Sequence, residues 1–447
     1  MIDLLVRGAR IAGSDDPAPV DLRVDRGVIL DVVPAAAEAP PARQILEARG
    51  ALLSAPYVEP HIHLDAVLTA GEPRWNASGT LWEGIACWSE RKATLSRQDV
   101  IDRAEEVIRW QVTQGVLSVR THVDVTDPTL QALDALLEVR DRVREVVDLQ
   151  IVAFPQEGIC SYPDGDRLME EAVRRGVDVV GAIPHFEDTR EDGVRSLEIA
   201  VALAERHGRL VDAHCDEIDD EQSRFVEVLA TLAMRSGLRE RVTASHTTAM
   251  GSYNAAYSYK LQRILRRSGI NVIANPTTNL NLQGRFDGYP RRRGMTQVKE
   301  LLGAGVNVAF GHDDVMDPWC PLGTANPVQV ALVGALATQM TSLSQVEECF
   351  GMVTGRAAAA LCLGDRYGVA PGRPACFMVL PALNAFDVVR RQVRPSHVVA
   401  HGRLVATSPP AAAQLDWPGR VPELVDYVRS SEAADAAWRS TGGTTPA

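Results

Sequence analysis

One pattern constrains this chain more than any other: strand-like apolar runs and helix-length amphipathic segments alternate eight times through its middle. The strand candidates are "YVEPHIHLD", "VLSVRTHVDV", "LQIVAFPQEG", "VDVVGAIPHFE", "RLVDAHCDE", "RVTASHTTA", "INVIANPTTN" and "VNVAFGHDD". Between them, apolar residues recurring at helical spacing predict helices over 99–114, 130–146, 194–207 and 221–236. Eight strand–helix units match a (β/α)8 TIM barrel, an α/β fold whose strands are covered on both faces and read as near-continuous Val/Ile/Ala runs. A doubly wound open sheet is the alternative, but no G-x-G-x-x-G follows the early strands to support it.

The strand ends decide for the barrel. They carry His61 and His63, His122 and Asp124, Gln156, His185 and Glu187, His214 and Glu217, His246, Asn275, and Asp313 and Asp314. A barrel brings all eight carboxyl ends to one face, where active sites sit. Of the ten histidines, only His207, His397 and His401 fall outside this set and the neighbouring His312.

The ends of the chain have another texture. "LLVRGARI", "DLRVDRGVILDVVP" and "RQILEARGALLS" are short β-type runs broken by Gly, Asp and Pro, and the same texture returns in "ACFMVLP" and "HVVAHGRLVAT". Such pieces need partners to bury their faces, so they are expected to share one small β-sandwich. The expected domains are 1–54 plus 369–417 for the sandwich, 55–368 for the barrel, and 418–447 as a C-terminal tail.

Composition narrows the function. A formal net charge of -12 with no basic run disfavours nucleic-acid and anionic-membrane partners. The start, "MIDLLVRGARIAG", lacks the pattern of a signal peptide, and no apolar stretch approaches membrane-spanning length. Seven scattered cysteines without a C-x-x-C pair read as reduced thiols, so a cytoplasmic protein is expected.

On a strand, residues i and i+2 face the same side, so His61 and His63 point together into the barrel mouth. An H-x-H alone does not establish a metal site. With His214 ending another strand and Asp313 the last, three imidazoles and a carboxylate form a set suited to one Zn2+ or Fe2+, with room left for water.

A His-x-His on the first strand, a His on the fifth, a His on the sixth and an Asp on the eighth resemble the signature of the amidohydrolase superfamily, whose plan also includes a small flanking β-sandwich. Many members bridge two metals with a carboxylated lysine on the fourth strand. Here that strand has none, and the only lysines, Lys92, Lys260 and Lys299, lie in or beside helical segments. One metal is therefore expected. "EPHIHLD", "SGTLWEGI", "VRTHVDV", "IVAFPQEGI", "GAIPHFE", "HCDEIDDEQSRF", "SHTTAM" and "FGHDDVMDPW" further resemble, in order, the motifs of bacterial cytosine deaminases, over roughly residues 1–407.

That resemblance implies hydrolytic deamination of free cytosine to uracil and ammonia in pyrimidine salvage, by attack of metal-bound hydroxide at C4. Glu217 is then the proton shuttle from water to ring N3, and His246 and Asp313 orient the water and stabilise charge. The Gln156 amide, both donor and acceptor, suits the O2 and N1–H edge of a bare base. Phe154 and Trp319 are expected to stack on or wall the ring, and Asp314 to border its C5 edge. The resemblance also implies a homo-oligomer, a hexamer.

Other residues have plainer expected roles. His122 and His185 read as hydrogen-bonding residues behind the ligands, His312 as a packed residue facing away from the metal. Glu59 and Asp65 either orient ligands or make salt bridges. "IDDEQSRF" reads as a helix N-terminus, and Trp75, Trp82 and Trp88 as packing for a long loop after the first strand. His185 and Glu187 spell H-x-E, but the P-C-x-x-C partner of the zinc cytidine deaminases is missing. Thr277, Thr278 and Asn281 stand where the pattern has apolar residues and a histidine, and Cys320 where it has an aromatic. The alternatives are a deaminase of isoguanine or 5-methylcytosine with the same site, a cyclic-amide hydrolase, or a non-catalytic scaffold.

Overall fold

The computed structural model describes residues 1–428, apart from positions 15, 17, 37, 39, 410 and 426. Its centre is a parallel sheet of eight strands laid side by side in chain order. These are β1 (Tyr57–Ile62), β2 (Val116–Asp124), β3 (Asp148–Phe154), β4 (Val179–Ala182), β5 (Leu210–Cys215), β6 (Val242–His246), β7 (Asn271–Ala274) and β8 (Asn307–Phe310). Every residue of β1, β4, β6 and β7 is buried, which explains why the strands read as unbroken apolar runs. The sheet closes on itself just beyond β8, where Asp313 bridges Ile62 in parallel. Asp313 N donates to His61 O at 2.7 Å, and His63 N donates to Asp313 O at 3.2 Å. The architecture is thus the (β/α)8 TIM barrel expected.

Helix boundaries follow their caps. The helix Arg97–Gln114 begins where Ser96 accepts from Asp99 N, and ends at Gly115, whose φ of 94° suits a residue without Cβ. Others run Gln131–Val143 and Arg190–His207. The segment predicted as helical from 221 starts only at Phe225, because its N-terminus is capped from elsewhere: Asp216, at the end of β5, accepts from Phe225 N and Val226 N at 2.8 Å each. The acids of "IDDEQSRF" do not supply that cap. The seventh strand is shorter than "INVIANPTTN" suggests. It stops at Ala274, and Pro276 opens a short helix, Pro276–Leu282, that carries Thr277, Thr278 and Asn281.

Both chain ends enter one flanking sheet. Its strand order is Arg403–Thr407, His397–Ala400, Phe377–Leu380, Leu52–Ser54, Ile2–Ile11, Val20–Asp25, Val28–Pro34, with Ala42–Glu47 also pairing Ile2–Ile11. The long first strand shifts register between Val6 and Ala9, around Gly8. Its first half pairs with Ala42–Glu47 and its second half with Leu52–Ser54, so the sheet turns over one apolar cluster containing Leu4, Leu22, Ile29, Leu53, Phe377 and Val399. Within the segment expected as a tail, Glu423–Val425 pairs antiparallel with Ala413–Leu415; residues 429–447 lie outside the described residues. No helix among the described residues is long and apolar enough to cross a membrane.

One charge lies deep in the barrel. The Arg120 side chain of β2 is wholly buried, with Nη1 donating to Asp212 Oδ2 at 2.9 Å and Nη2 to Gln150 Oε1 at 3.0 Å and Ala360 O at 3.1 Å. Such a pair is costly to break, because the surviving charge stays buried alone. Arg120→Met is expected to lower stability by about 3–5 kcal/mol, measured by denaturant unfolding; a loss under about 1 kcal/mol would mean that Asp212 finds another partner.

Candidate active site

The barrel mouth gathers side chains that lie far apart in sequence. His61 and His63 leave β1 two residues apart, His214 comes from β5, His246 ends β6, and Asp313 follows β8 by three residues. Asp313 Oδ1 lies 3.2 Å from His61 Nε2 and 3.3 Å from His63 Nε2. His63 Nε2 and His214 Nε2 stand 3.1 Å apart. All four side chains are buried. The backbone is bent to achieve this: Asp313 has φ 69° and His246 φ 71°, left-handed conformations that cost a residue with a Cβ about 1–3 kcal/mol. Gly311 leaves the room required, since a Cβ there would lie 3.0 Å from His61 Cβ and 2.7 Å from Asn275 Oδ1.

These contacts fit a cation better than they fit one another. His61 Nε2 is buried without a hydrogen-bond partner. A tetrahedral centre with bonds of about 2.0–2.1 Å needs ligand atoms about 3.3 Å apart, and three of the cage spacings, His63–His214, His61–Asp313 and His63–Asp313, are 3.1–3.3 Å. Burial, reinforced by the surrounding imidazoles, holds His214 well below the ordinary histidine range, so it is neutral as a ligand must be. For Asp313 burial opposes ionisation, but His246, His61 and His63 outweigh it and keep the carboxyl well below its usual value. His246 lies close to the cage, within 4.8 Å of the donors of His61, His214 and Asp313. Its Nδ1, however, is met by Glu217 Oε1 at 3.2 Å and by Asn279 Nδ2 at 3.1 Å, so it borders the cage.

Glu217 hangs over this centre. Burial, and then the charge of Asp313, raise its carboxyl well above the usual value, which favours a form able to carry a proton. Asp216 beside it accepts from Ser223 Oγ at 2.7 Å as well as from the helix amides, and so fixes the loop that bears Glu217. The imidazole of His246 is brought to about neutral form by burial, which lowers it well below the ordinary range.

Gln156 is 4% exposed, and among the described residues no hydrogen bond claims its amide. Its flanks are tied down. Glu157 accepts from Lys92 Nζ at 2.7 Å and Ser89 Oγ at 2.9 Å. Glu187 accepts from Ile159 N at 2.7 Å and Ser161 N at 2.8 Å, a loop-fastening task quite different from catalysis. Lys92 is spent on Asp124 and Glu157 and does not approach the cage. Asp314 is buried, and burial together with Asp313 and Asp317 raises its carboxyl well above the usual range. Asp317 accepts the N–H groups of Val315, Trp319 and Cys320, shaping the loop that presents Trp319. The Trp319 indole lies 6.3 Å from the His63 ring and presses on the helix Leu81–Lys92 at Gly84, where a Cβ would come within 2.6 Å of its Nε1.

Other expectations are corrected. Phe154 is fully buried, with its ring stacked on His214 at 3.9 Å and 20°; it holds a cage imidazole and has no free face for a substrate. Trp88 is packed and donates to Asp124 Oδ2 at 2.9 Å, whereas Trp75 and Trp82 are exposed. His312 is packed as expected, its Nδ1 2.8 Å from Glu59 Oε2. The His122 ring lies behind His61, its centroid 3.9 Å away and tilted by 31°, and burial lowers its pKa to about 3. Asn279 and Asp216 escaped the sequence reading. Asn279 falls within the strand candidate "INVIANPTTN", and Asp216 sits directly before Glu217 with no motif of its own.

The sequence profile of the amidohydrolase family matches residues 44–406. A 5-methylcytosine deaminase from Klebsiella pneumoniae, solved with 5-fluorocytosine, superposes with a TM-score of 0.90 at 49% identity, covering 93% of this chain and 100% of that one. The N-isopropylammelide isopropyl amidohydrolase of Pseudomonas sp. (strain ADP) is 25% identical over 409 residues, 90% of this chain and 97% of that protein. A pterin deaminase of Rhizobium rhizogenes (strain K84 / ATCC BAA-868) is 27% identical over 404 residues, 89% of this chain and 90% of that one.

The cage makes cation binding pH-dependent. Burial alone would lower His63, but hydrogen bonding and charge from Asp313 outweigh it and raise the imidazole above its ordinary value. A proton then competes with the cation: affinity is intact above this raised pKa and lost as pH falls through it. Chelator competition from about pH 8 to about pH 5 should show the apparent affinity dropping steeply on the acid side; a flat profile would exclude His63 as a ligand.

Proposed function

The chain belongs to the amidohydrolase family, hydrolases of C–N bonds, and on that footing we propose that it deaminates free cytosine to uracil and ammonia. The observation that carries this reading is a buried carboxyl, Glu217, poised 3.2 Å from His246 beside the clustered side chains of His61, His63, His214 and Asp313. On this reading His61, His63, His214 and Asp313 hold one divalent ion, Fe2+ or Zn2+. Such an ion supplies Lewis acidity and brings the ionisation of water down towards about pH 7.

The rest falls to the chain's own residues. Glu217 takes the proton given up by water and delivers it to N3 of the pyrimidine, then carries the proton of the new C4 hydroxyl to the amino group as it leaves as ammonia. His246 fixes the orientation of Glu217 and stabilises charge as C4 becomes tetrahedral. The unclaimed amide of Gln156 pairs with O2 and N1–H of the base, and Trp319 walls the ring. A sugar on N1 would remove the donor that Gln156 needs, so nucleosides fit poorly. The reading includes a cytoplasmic homo-oligomer, a hexamer by resemblance, acting on small molecules without a nucleic-acid partner.

The likeness to the Klebsiella enzyme favours one second reading, 5-methylcytosine as the substrate. Asp314 bears on the choice, because a buried carboxyl at the C5 edge leaves a methyl group a polar neighbour in place of an apolar pocket.

Ammonia release should be measured for cytosine, 5-methylcytosine, isoguanine and cytidine with Fe2+ or Zn2+ supplied. The expected result is cytosine ahead of 5-methylcytosine by at least about tenfold in kcat/KM, and cytidine at least about 100-fold below cytosine. A faster rate with 5-methylcytosine would install the second reading, and brisk cytidine turnover would remove Gln156 from its role. Glu217→Gln should retain its metal and lose about 100- to 10,000-fold in kcat; near-normal turnover would eliminate the proton shuttle.

A further inference from the structure

His61 is the one cage imidazole whose far nitrogen runs into a continuous line of buried polar groups. Its Nδ1 lies 2.9 Å from Ser245 Oγ. Ser245 Oγ lies 2.7 Å from Asp212 Oδ1, and Asp212 Oδ2 accepts from Arg120 Nη1 at 2.9 Å. Arg120 Nε and Nη2 reach Gln150 Oε1 at 3.1 and 3.0 Å, and Gln150 Nε2 donates to Leu361 O at 2.9 Å. Ser245, Asp212 and Arg120 are each completely buried. The line crosses the barrel from the mouth to the opposite end.

The chemistry of its members gives the line a direction. An ionised carboxylate only accepts, so Asp212 obliges the Ser245 hydroxyl to donate to it. The Ser245 oxygen is then free to accept, and His61 Nδ1 must carry the proton that it takes. Nδ1–H in turn leaves the lone pair on Nε2, the atom 3.2 Å from Asp313 Oδ1 and without a partner. The guanidinium of Arg120, always charged, lies 2.9 Å from Asp212 Oδ2 and pairs with it as a carboxylate.

We propose that Ser245, backed by Asp212 and Arg120, is a positioning residue that locks His61 in the Nδ1–H tautomer and aims its Nε2 lone pair at the cation. Ser245 touches neither substrate nor cation. It acts through His61, and the inference rests on His61 being a ligand. His61→Ala tests that premise separately: it should abolish tight metal binding, and if it does not, the premise fails before Ser245 is considered.

The test compares Ser245→Ala with wild type in the full-length protein by chelator competition with Zn2+ and Fe2+, alongside thermal melting of the metal-free form. Removing the partner of a ligating histidine typically weakens metal binding by about 10- to 100-fold. That loss is expected here, with the melting of the metal-free protein nearly unchanged. With saturating metal, the KM for cytosine should be close to that of wild type. Should Ser245→Ala fail to fold, Ser245→Cys is measured instead, because a thiol of similar shape is a weak donor and acceptor and should weaken binding in the same sense. Metal affinity within twofold of wild type in the variant measured overturns the proposal, as does a loss of affinity that merely tracks a loss of fold.

Discussion

The barrel closes through the residue that supplies the cage carboxylate. Asp313 joins the last strand to the first by two main-chain hydrogen bonds to the strand bearing His61 and His63, and the same residue turns its side chain onto both imidazoles. Closure and ligand geometry are therefore one event. A strand register wrong by one residue would turn the His61 and His63 side chains away together, since side-chain direction alternates along a strand. The left-handed turn at Asp313 is the local cost of using one residue for both purposes.

Environment, more than residue type, sorts the carboxyls around this centre. Asp313 sits among imidazoles and is held ionised, while Glu217, buried beside that negative charge, is pushed towards its protonated form. Pairs of titratable groups driven apart in this way are where acid and base duties divide. The surrounding carboxyls are structural: Asp216 caps a helix, Glu187 gathers loop amides, and Asp317 cradles the turn at Trp319. Each holds in place a loop that carries a residue of the site.

Much of this was legible in the sequence because apolar strand runs alternating with helix-length segments, and polar strand ends, are local signals. They gave the barrel and set His61, His63, His214 and Asp313 at one end of it. Legibility failed where a neighbour distant in sequence decides. Phe154 looked like a substrate wall, yet His214, sixty residues later, takes its face. The helix at Phe225 starts late because its cap comes from the end of β5. Ser245 and Asp212 carry no motif of their own, although Asp212 stands two residues before His214 on the same strand and shares its direction.

The contact between Gly84 and Trp319 ties the helix Leu81–Lys92 to the loop that follows β8. The indole occupies the space that any side chain at 84 would need. The two positions are consequently interdependent in sequence change: a side chain at 84 becomes admissible once 319 has shrunk, and it then fills part of the space the indole gave up. Change at this contact would therefore proceed through paired replacements, with each single step crossing a less stable intermediate.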